Sequence, residues 1–112
     1  MHARALSPIA FALFVAGSAA AAAGPSFDCH TDRSPTEQAI CGDPELGDLD
    51  SEMARLYFQI ANDSSGRYYR RLKRDQRDWL KDRDDCGAHV GCLRAVYRDR
   101  IRELRDVLGP QD

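Results

Sequence analysis

Residues 76–92 read QRDWLKDRDDCGAHVGC, and the other elements of the chain can be placed around them. The segment holds the only tryptophan, Trp79, and two of the four cysteines, Cys86 and Cys92. Gly87 directly follows the first of these cysteines, and glycine commonly ends a helix. The segment therefore predicts the end of one helix, a short turn closed by a disulfide, and the start of the next helix.

Two helix starts with capping signals are predicted before this segment. Ser34-Pro35-Thr36-Glu37 has a capping serine, a proline at the first helical position and a glutamate three residues after the serine, which is a capping box. This first helix is short, because Gly42 interrupts it. Asp43-Pro44 then repeats the same start signal and predicts a second helix.

The second helix has one apolar and one charged face. Apolar residues recur at steps of three and four, which is the spacing of one helical face: they are Leu46, Leu49, Met53, Leu56, Tyr57 and Ile60. The other face is predicted to carry Glu45, Asp48, Asp50, Glu52 and Arg55. Residues 62–66, Asn-Asp-Ser-Ser-Gly, predict a loop after this helix.

Two further long helices complete the predicted fold. The third runs from about Arg67 to Asp85, and its apolar stripe is interrupted by Gln76, which we expect near the core with hydrogen-bond partners. The fourth starts near His89 and ends at Leu108, before a Gly-Pro pair. Since no strand pattern of useful length appears, the prediction is all-α: a small disulfide-stapled helical bundle with one short helix and three longer ones.

Residues 1–23 have the pattern of a secretory signal peptide. Arg4 is followed by an apolar run and then by small residues, with an Ala-x-Ala site that ends near Ala23. The alternative, an N-terminal membrane anchor, is disfavoured because the run is too short to span a bilayer comfortably. We therefore expect a helical domain at residues 24–112, located in the periplasm or secreted, with no stable membrane span after cleavage.

The four cysteines, Cys29, Cys41, Cys86 and Cys92, allow three disulfide pairings. The sequence favours the two local ones, Cys29–Cys41 and Cys86–Cys92, because each would tie a loop to a neighbouring helix end. A zinc site is the alternative, but zinc ligands are usually closer pairs of cysteines. Disulfides are also common in small exported domains, so we expect no metal and no cofactor.

Charge is uneven along the chain. Residues 28–63 have nine acidic and two basic side chains, and residues 64–112 have nine acidic and thirteen basic ones. Solvated helix faces with intrahelical ion pairs would account for this, and so would an acidic surface on the second helix that attracts a basic partner. No pairing of nucleophile with base is visible, so no catalytic residue is predicted. Nucleic acid is not expected as a partner, because acidic residues interrupt the basic ones.

The ordered set of motifs resembles the lysozyme inhibitor LprI-type family, in a domain long carried as one of unknown function. The motifs are Phe27-Asp28-Cys29, Ser34-Pro35-Thr36-Glu37-Gln38-Ala39-Ile40-Cys41, Pro44-Glu45-Leu46, Leu49-Asp50, Tyr57, Gln76-Arg77-Asp78-Trp79-Leu80, Arg83, Cys86, Cys92-Leu93, Tyr97 and Arg100-Ile101. The resemblance covers nearly all of the chain after the signal peptide. The resemblance implies an exported helical domain with two disulfides. It also implies that some members of the family inhibit host-type lysozyme.

The inhibitor function is consistent with the charge pattern. Host-type lysozymes are strongly basic, and an acidic surface would steer towards them. The expected partner is therefore a protein, with a basic lysozyme as the specific hypothesis. Glu45, Asp48, Asp50 and Glu52 are the candidate partner-binding residues. An envelope-associated structural or interaction module without lysozyme activity is the alternative.

Overall fold

The computed structural model describes residues 24–31 and 33–110, which form four α-helices. These are α1 (Pro35–Gly42), α2 (Pro44–Asn62), α3 (Gly66–Asp85) and α4 (Val90–Leu108). No strand occurs in this part of the chain. The prediction of an all-α bundle with one short helix and three longer ones is confirmed. The expected signal peptide, residues 1–23, lies outside the described residues.

Side-chain caps fix where three of the helices begin. The Ser34 hydroxyl accepts a hydrogen bond from the Glu37 backbone N–H at 3.1 Å, and the Glu37 carboxylate accepts one from the Ser34 N–H at 3.2 Å. Asp43 caps α2 in a similar way. His89 Nδ1 accepts a hydrogen bond from the Cys92 N–H at 3.0 Å, which caps α4. These caps satisfy backbone donors that the first turn of a helix leaves without partners.

α2 and α4 run parallel to each other. Ion pairs join Glu45 on α2 to Arg94 and Arg98 on α4. A further pair joins Glu52 to Arg105, so that residue numbers rise together along both helices. α2 and α4 form the most extensive helix–helix interface of the bundle.

α3 runs antiparallel to both of these helices. The Gln76 amide oxygen accepts hydrogen bonds from Arg100 Nε and from its Nη2, at 3.1 and 2.8 Å. Trp79 lies later in α3 than Gln76, and its indole N–H donates to the backbone oxygen of Val96 at 3.4 Å. Val96 lies earlier in α4 than Arg100, so α3 and α4 run in opposite directions. The Gln76 amide N–H also contacts Met53 Sδ on α2 at 3.2 Å. The prediction that Gln76 lies near the core with hydrogen-bond partners is therefore confirmed.

The hydrophobic core lies between α2, α3 and α4, and α1 closes one end of it. Trp79 is only 8% exposed and packs edge-to-face on Tyr97, with ring centroids 5.1 Å apart. Such burial of large apolar side chains is the main stabilising term of a small bundle, at about 1.5–3 kcal/mol for each. The buried hydrophobic residues are Ile40, Leu46, Met53, Ala54, Leu56, Ile60, Leu72, Trp79, Leu93, Tyr97, Ile101 and Leu104.

Both disulfides lie at the same end of the bundle. They join Cys29 to Cys41 and Cys86 to Cys92, with Cα atoms 5.9 and 5.6 Å apart, which confirms the favoured pairing. The turn between α3 and α4 contains Gly87 at a positive φ of 57°, a conformation that side chains other than glycine rarely adopt. The buried Thr36 hydroxyl of α1 donates to the Gly87 backbone oxygen at 2.8 Å. This hydrogen bond attaches α1 to the turn between α3 and α4, which the Cys86–Cys92 disulfide closes.

Candidate partner-binding surface

The four carboxylates predicted to bind a partner lie in different environments. Glu45 and Asp48 are exposed on α2, and Glu52 is partly exposed. Asp50 is buried, with only 1% of its surface exposed. The structure therefore brings together Glu45, Asp48 and Glu52 on the outside of the bundle, and we call these three residues the α2 acidic surface.

The placement of Asp50 on the exposed face is wrong. Its Oδ2 accepts hydrogen bonds from both the backbone N–H and the hydroxyl of Ser26, each at 2.6 Å. Its Oδ1 accepts a hydrogen bond from the Tyr97 hydroxyl at 2.7 Å. A buried carboxylate is stable only when hydrogen bonds replace its lost hydration, and these three do so. Asp50 therefore ties the N-terminal segment and α4 to α2.

Tyr97 and Arg83 continue this buried network. Burial, followed by the charge and hydrogen bond of Asp50, raises the pKa of Tyr97, so the hydroxyl stays protonated and donates to Asp50. Arg83 Nη1 donates to the same hydroxyl at 3.4 Å. Burial alone would lower the pKa of Arg83, but Tyr97 and Asp84 outweigh it and the net shift is upward. Asp50 and Arg83 therefore hold the Tyr97 hydroxyl inside the core.

The α2 acidic surface is partly compensated by arginines of α4. Glu45 Oε1 lies 2.8 Å from Arg98 Nη2 and 3.1 Å from Arg94 Nε, although the latter contact is not a hydrogen bond. Glu52 forms an ion pair with Arg105. Ion pairs as exposed as these contribute about 0–1 kcal/mol each, so a partner could exchange them at small cost. Asp48 forms no ion pair among the described residues.

An apolar cleft lies between the N-terminal segment, α2 and α3. Its volume is about 370 Å³, within the range of clefts that hold ligands or partner side chains. Phe27, Met53, Tyr57 and Leu80 line its walls, and Asp50 and Arg83 contribute polar atoms. This cleft was not predictable from the sequence, because the residues around Phe27 have no periodic pattern. The cleft can accept an apolar side chain.

The described residues offer no metal site. All four cysteines are in disulfides, and no group of three or more His, Cys, Asp or Glu side chains converges within residues 24–31 and 33–110. Nor is any helix in this part of the chain both long and apolar enough to cross a membrane.

Comparison with known proteins identifies the family. The model of the lysozyme inhibitor LprI family matches residues 29–104. The chain belongs to this family. No curated protein and no solved structure matches it. The match begins at the first disulfide cysteine and ends at Leu104, a buried residue of α4, so the region shared with the LprI family contains both disulfides and the whole core.

Proposed function

We propose that this LprI family protein is exported and inhibits host-type lysozyme by binding to it. Family membership carries the proposal. The two disulfides support it, because disulfides form and persist in oxidising compartments outside the cytoplasm, where a lysozyme would be met. The protein acts here as a binding partner and not as an enzyme.

The proposed contact region is the α2 acidic surface. Host-type lysozymes are basic, and complementary charge accelerates encounter with such a partner. Asp48 is exposed and forms no ion pair within the described part of the chain. Glu45 and Glu52 can exchange their α4 arginines for arginines or lysines of the partner. Asp50 does not belong to the contact, because it supports the surface from inside the bundle.

The alternative function is that of an envelope-associated module without lysozyme activity. The observation that favours it is the compensation of the α2 acidic surface by α4. Since Arg98 and Arg105 pair with Glu45 and Glu52, less negative potential remains for steering a basic enzyme than the sequence indicates. The two functions differ in whether the purified protein affects lysozyme at all.

A cell-wall lysis assay distinguishes them. The oxidised protein from Gly24 onward is titrated into a host-type lysozyme, and a reduced and alkylated sample serves as the control. Under the proposal, the oxidised protein suppresses lysis in proportion to its concentration, and the reduced sample does so weakly or not at all. Unchanged lysis at a large molar excess of oxidised protein would refute the inhibitor function and leave the envelope module.

A pair of charge variants tests the contact surface. Asp48→Lys reverses an exposed charge on α2, and Asp106→Lys makes the same change in net charge on an exposed position of α4. We expect Asp48→Lys to slow association with lysozyme roughly three- to tenfold at low salt, since charges at the rim of an interface act mainly on the association rate. Asp106→Lys should have little effect. Equal slowing by both variants would show that net charge matters and that the α2 acidic surface is not the contact.

A further inference from the structure

The first half of α3 is strongly basic. Residues 66–77 contain six basic side chains and one acidic side chain, Asp75. The basic residues are all exposed; they are Arg67, Arg70, Arg71, Lys73, Arg74 and Arg77. Four of them are spaced at steps of three and four, and together they line one shallow hollow on the outside of the helix. We call these four, Arg70, Lys73, Arg74 and Arg77, the α3 basic face.

Among residues 24–31 and 33–110, the α3 basic face forms no ion pair, in contrast to the arginines of α4. Each of the five arginines of α4 forms an ion pair, either with α2 or within α4 itself. None of the ion pairs among the described residues includes a member of the α3 basic face. Like charges three and four residues apart repel each other on a helix. The α3 basic face therefore carries an unfavourable interaction that a bound anionic surface would relieve.

Exposed apolar side chains lie at the same end of the molecule. Phe58 is 57% exposed, Tyr68 is 49%, Tyr69 is 36% and Val107 is 53%. Phe58 lies late in α2, the two tyrosines lie early in α3, and Val107 lies late in α4. Because α3 is antiparallel to the other two helices, these positions meet at the end of the bundle opposite the disulfides. The Lys73 ammonium lies 5.4 Å from the centre of the Tyr69 ring, so this ring adjoins the α3 basic face.

We infer that the α3 basic face, with Tyr69 at its edge and the other exposed apolar side chains at the same end of the bundle, docks on an anionic phospholipid surface. Each Lys or Arg held near such a surface is attracted by its negative potential. Tyrosine side chains are enriched at the depth of the lipid headgroups, because the ring contacts apolar groups there while the hydroxyl remains hydrated. The attraction comes from the α3 basic face and not from the net charge of the protein, because the chain as a whole has a formal net charge of −2.

The apolar side chains favour a lipid surface over a soluble polyanion. A polyanion in water would bind the four cations through its charges and gain little from Phe58 or Val107. A membrane interface would bind the cations and also remove these apolar groups from water. Docking in this way needs no membrane-spanning helix, and it leaves the α2 acidic surface on a different helix for a protein partner.

Vesicle flotation tests the inference. The protein from Gly24 onward contains all four helices, their core and both disulfides, and is mixed with vesicles of phosphatidylglycerol and phosphatidylcholine, or of phosphatidylcholine alone. We expect binding to the anionic vesicles at low salt, weak binding to the neutral ones, and loss of binding at about 1 M salt, where the Debye length is only about 3 Å. Absence of binding to the anionic vesicles at low salt would overturn the inference.

Two quadruple variants with the same change in net charge provide the matched comparison. One replaces the α3 basic face by glutamine, a good helix former: R70Q, K73Q, R74Q and R77Q. The other does the same for exposed or partly exposed, paired arginines of α4: R94Q, R98Q, R102Q and R105Q. Since each cation near the surface is worth roughly a fivefold change in partitioning, the α3 variant should lose a hundredfold or more, and the α4 variant much less. Equal losses by both variants, with circular dichroism spectra that remain helical, would overturn the inference.

A third variant separates lipid from soluble polyanion. F58S with V107S removes exposed apolar groups and leaves every charge in place. We expect it to weaken binding to anionic vesicles severalfold and to leave binding to inorganic polyphosphate unchanged. If polyphosphate binds as tightly as the vesicles do, and the double variant binds vesicles like the unchanged protein, the α3 basic face is a polyanion site and the membrane assignment is wrong.

Discussion

Asp50→Asn is the substitution that best tests the buried network. Asparagine has nearly the same shape as aspartate, so packing is kept while one carboxylate oxygen becomes an N–H donor. If the remaining oxygen faces the Tyr97 hydroxyl, the new amide faces the backbone N–H of Ser26, which lies 2.6 Å from Oδ2 of the native aspartate. Two donors then point at each other, and that hydrogen bond is lost.

The expected cost follows from the hydrogen bonds that Asp50 makes. Hydrogen bonds to charged groups contribute about 1.5–3 kcal/mol, and those between neutral groups about 0.5–1.5 kcal/mol. Asp50→Asn loses the bond from the Ser26 N–H and weakens the bond from Tyr97, while it relieves some of the cost of burying a charge. We therefore expect a loss of about 2–3 kcal/mol in the free energy of unfolding, which is large against a total of about 5–15 kcal/mol.

Urea denaturation of the oxidised protein measures this loss. With an m-value of about 1 kcal/mol per M for so small a domain, the midpoint should fall by about 2–3 M. Asp48→Asn, two residues away and exposed, is the matched control and should change stability by no more than about 0.5 kcal/mol. A double-mutant cycle with Tyr97→Phe should give a coupling energy of about 0.5–3 kcal/mol.

Equal effects of Asp50→Asn and Asp48→Asn on the urea midpoint would refute the buried network. A coupling energy near zero between positions 50 and 97 would refute the hydrogen bond between them. The pair of variants also separates stability from recognition, because Asp48→Asn alone should slow association with lysozyme when both proteins are folded.

Two further predictions concern the bridges and the tyrosine of the network. Replacing both cysteines of the Cys29–Cys41 bridge by serine should lower the free energy of unfolding by roughly 3 kcal/mol. The same change at Cys86–Cys92, which closes a shorter loop, should lower it by roughly 2.5 kcal/mol. Thermal unfolding measures both losses, and no loss in either variant would contradict the prediction. Burial raises the pKa of Tyr97 above its value in the unfolded chain. The contribution of Tyr97 to the free energy of unfolding is therefore fully present below about pH 10, the ordinary tyrosine pKa, and is lost as the pH rises above that value. Urea midpoints measured at rising pH should therefore fall more steeply for the wild type than for Tyr97→Phe, and parallel curves would exclude this contribution.

Local signals made most of the fold predictable from the sequence. Ser34 and Asp43 each cap a helix through a hydrogen bond to a backbone N–H three residues later, and each is followed by proline. The structure places α1 and α2 directly after them. Gly87 and the cysteine pair around it fixed the turn between α3 and α4. Each of these features depends on residues within about six positions of each other, so no knowledge of the tertiary arrangement was needed.

The candidate surface was less predictable, for two physical reasons. Asp50 lies four residues after Leu46 and three before Met53, a spacing that places it on the core face, but a charge there becomes tolerable only through Ser26 and Tyr97. Those partners are 24 and 47 residues away along the chain. The compensation of Glu45 and Glu52 by α4 likewise depends on the parallel packing of two helices, which no local pattern reveals.

The position of the two disulfides makes the two ends of the bundle unequal in their resistance to opening. Both bridges, helix α1 and the Thr36 hydrogen bond hold the end that contains the α3–α4 turn. The other end has the α2–α3 loop around Ser65 and the last turn of α4, with neither bridge. Backbone amides there should exchange with deuterium first, through local opening that leaves the bridged end intact. A protease that meets the native protein should accordingly cut first at the α2–α3 loop, and the bridged end would remain folded longest.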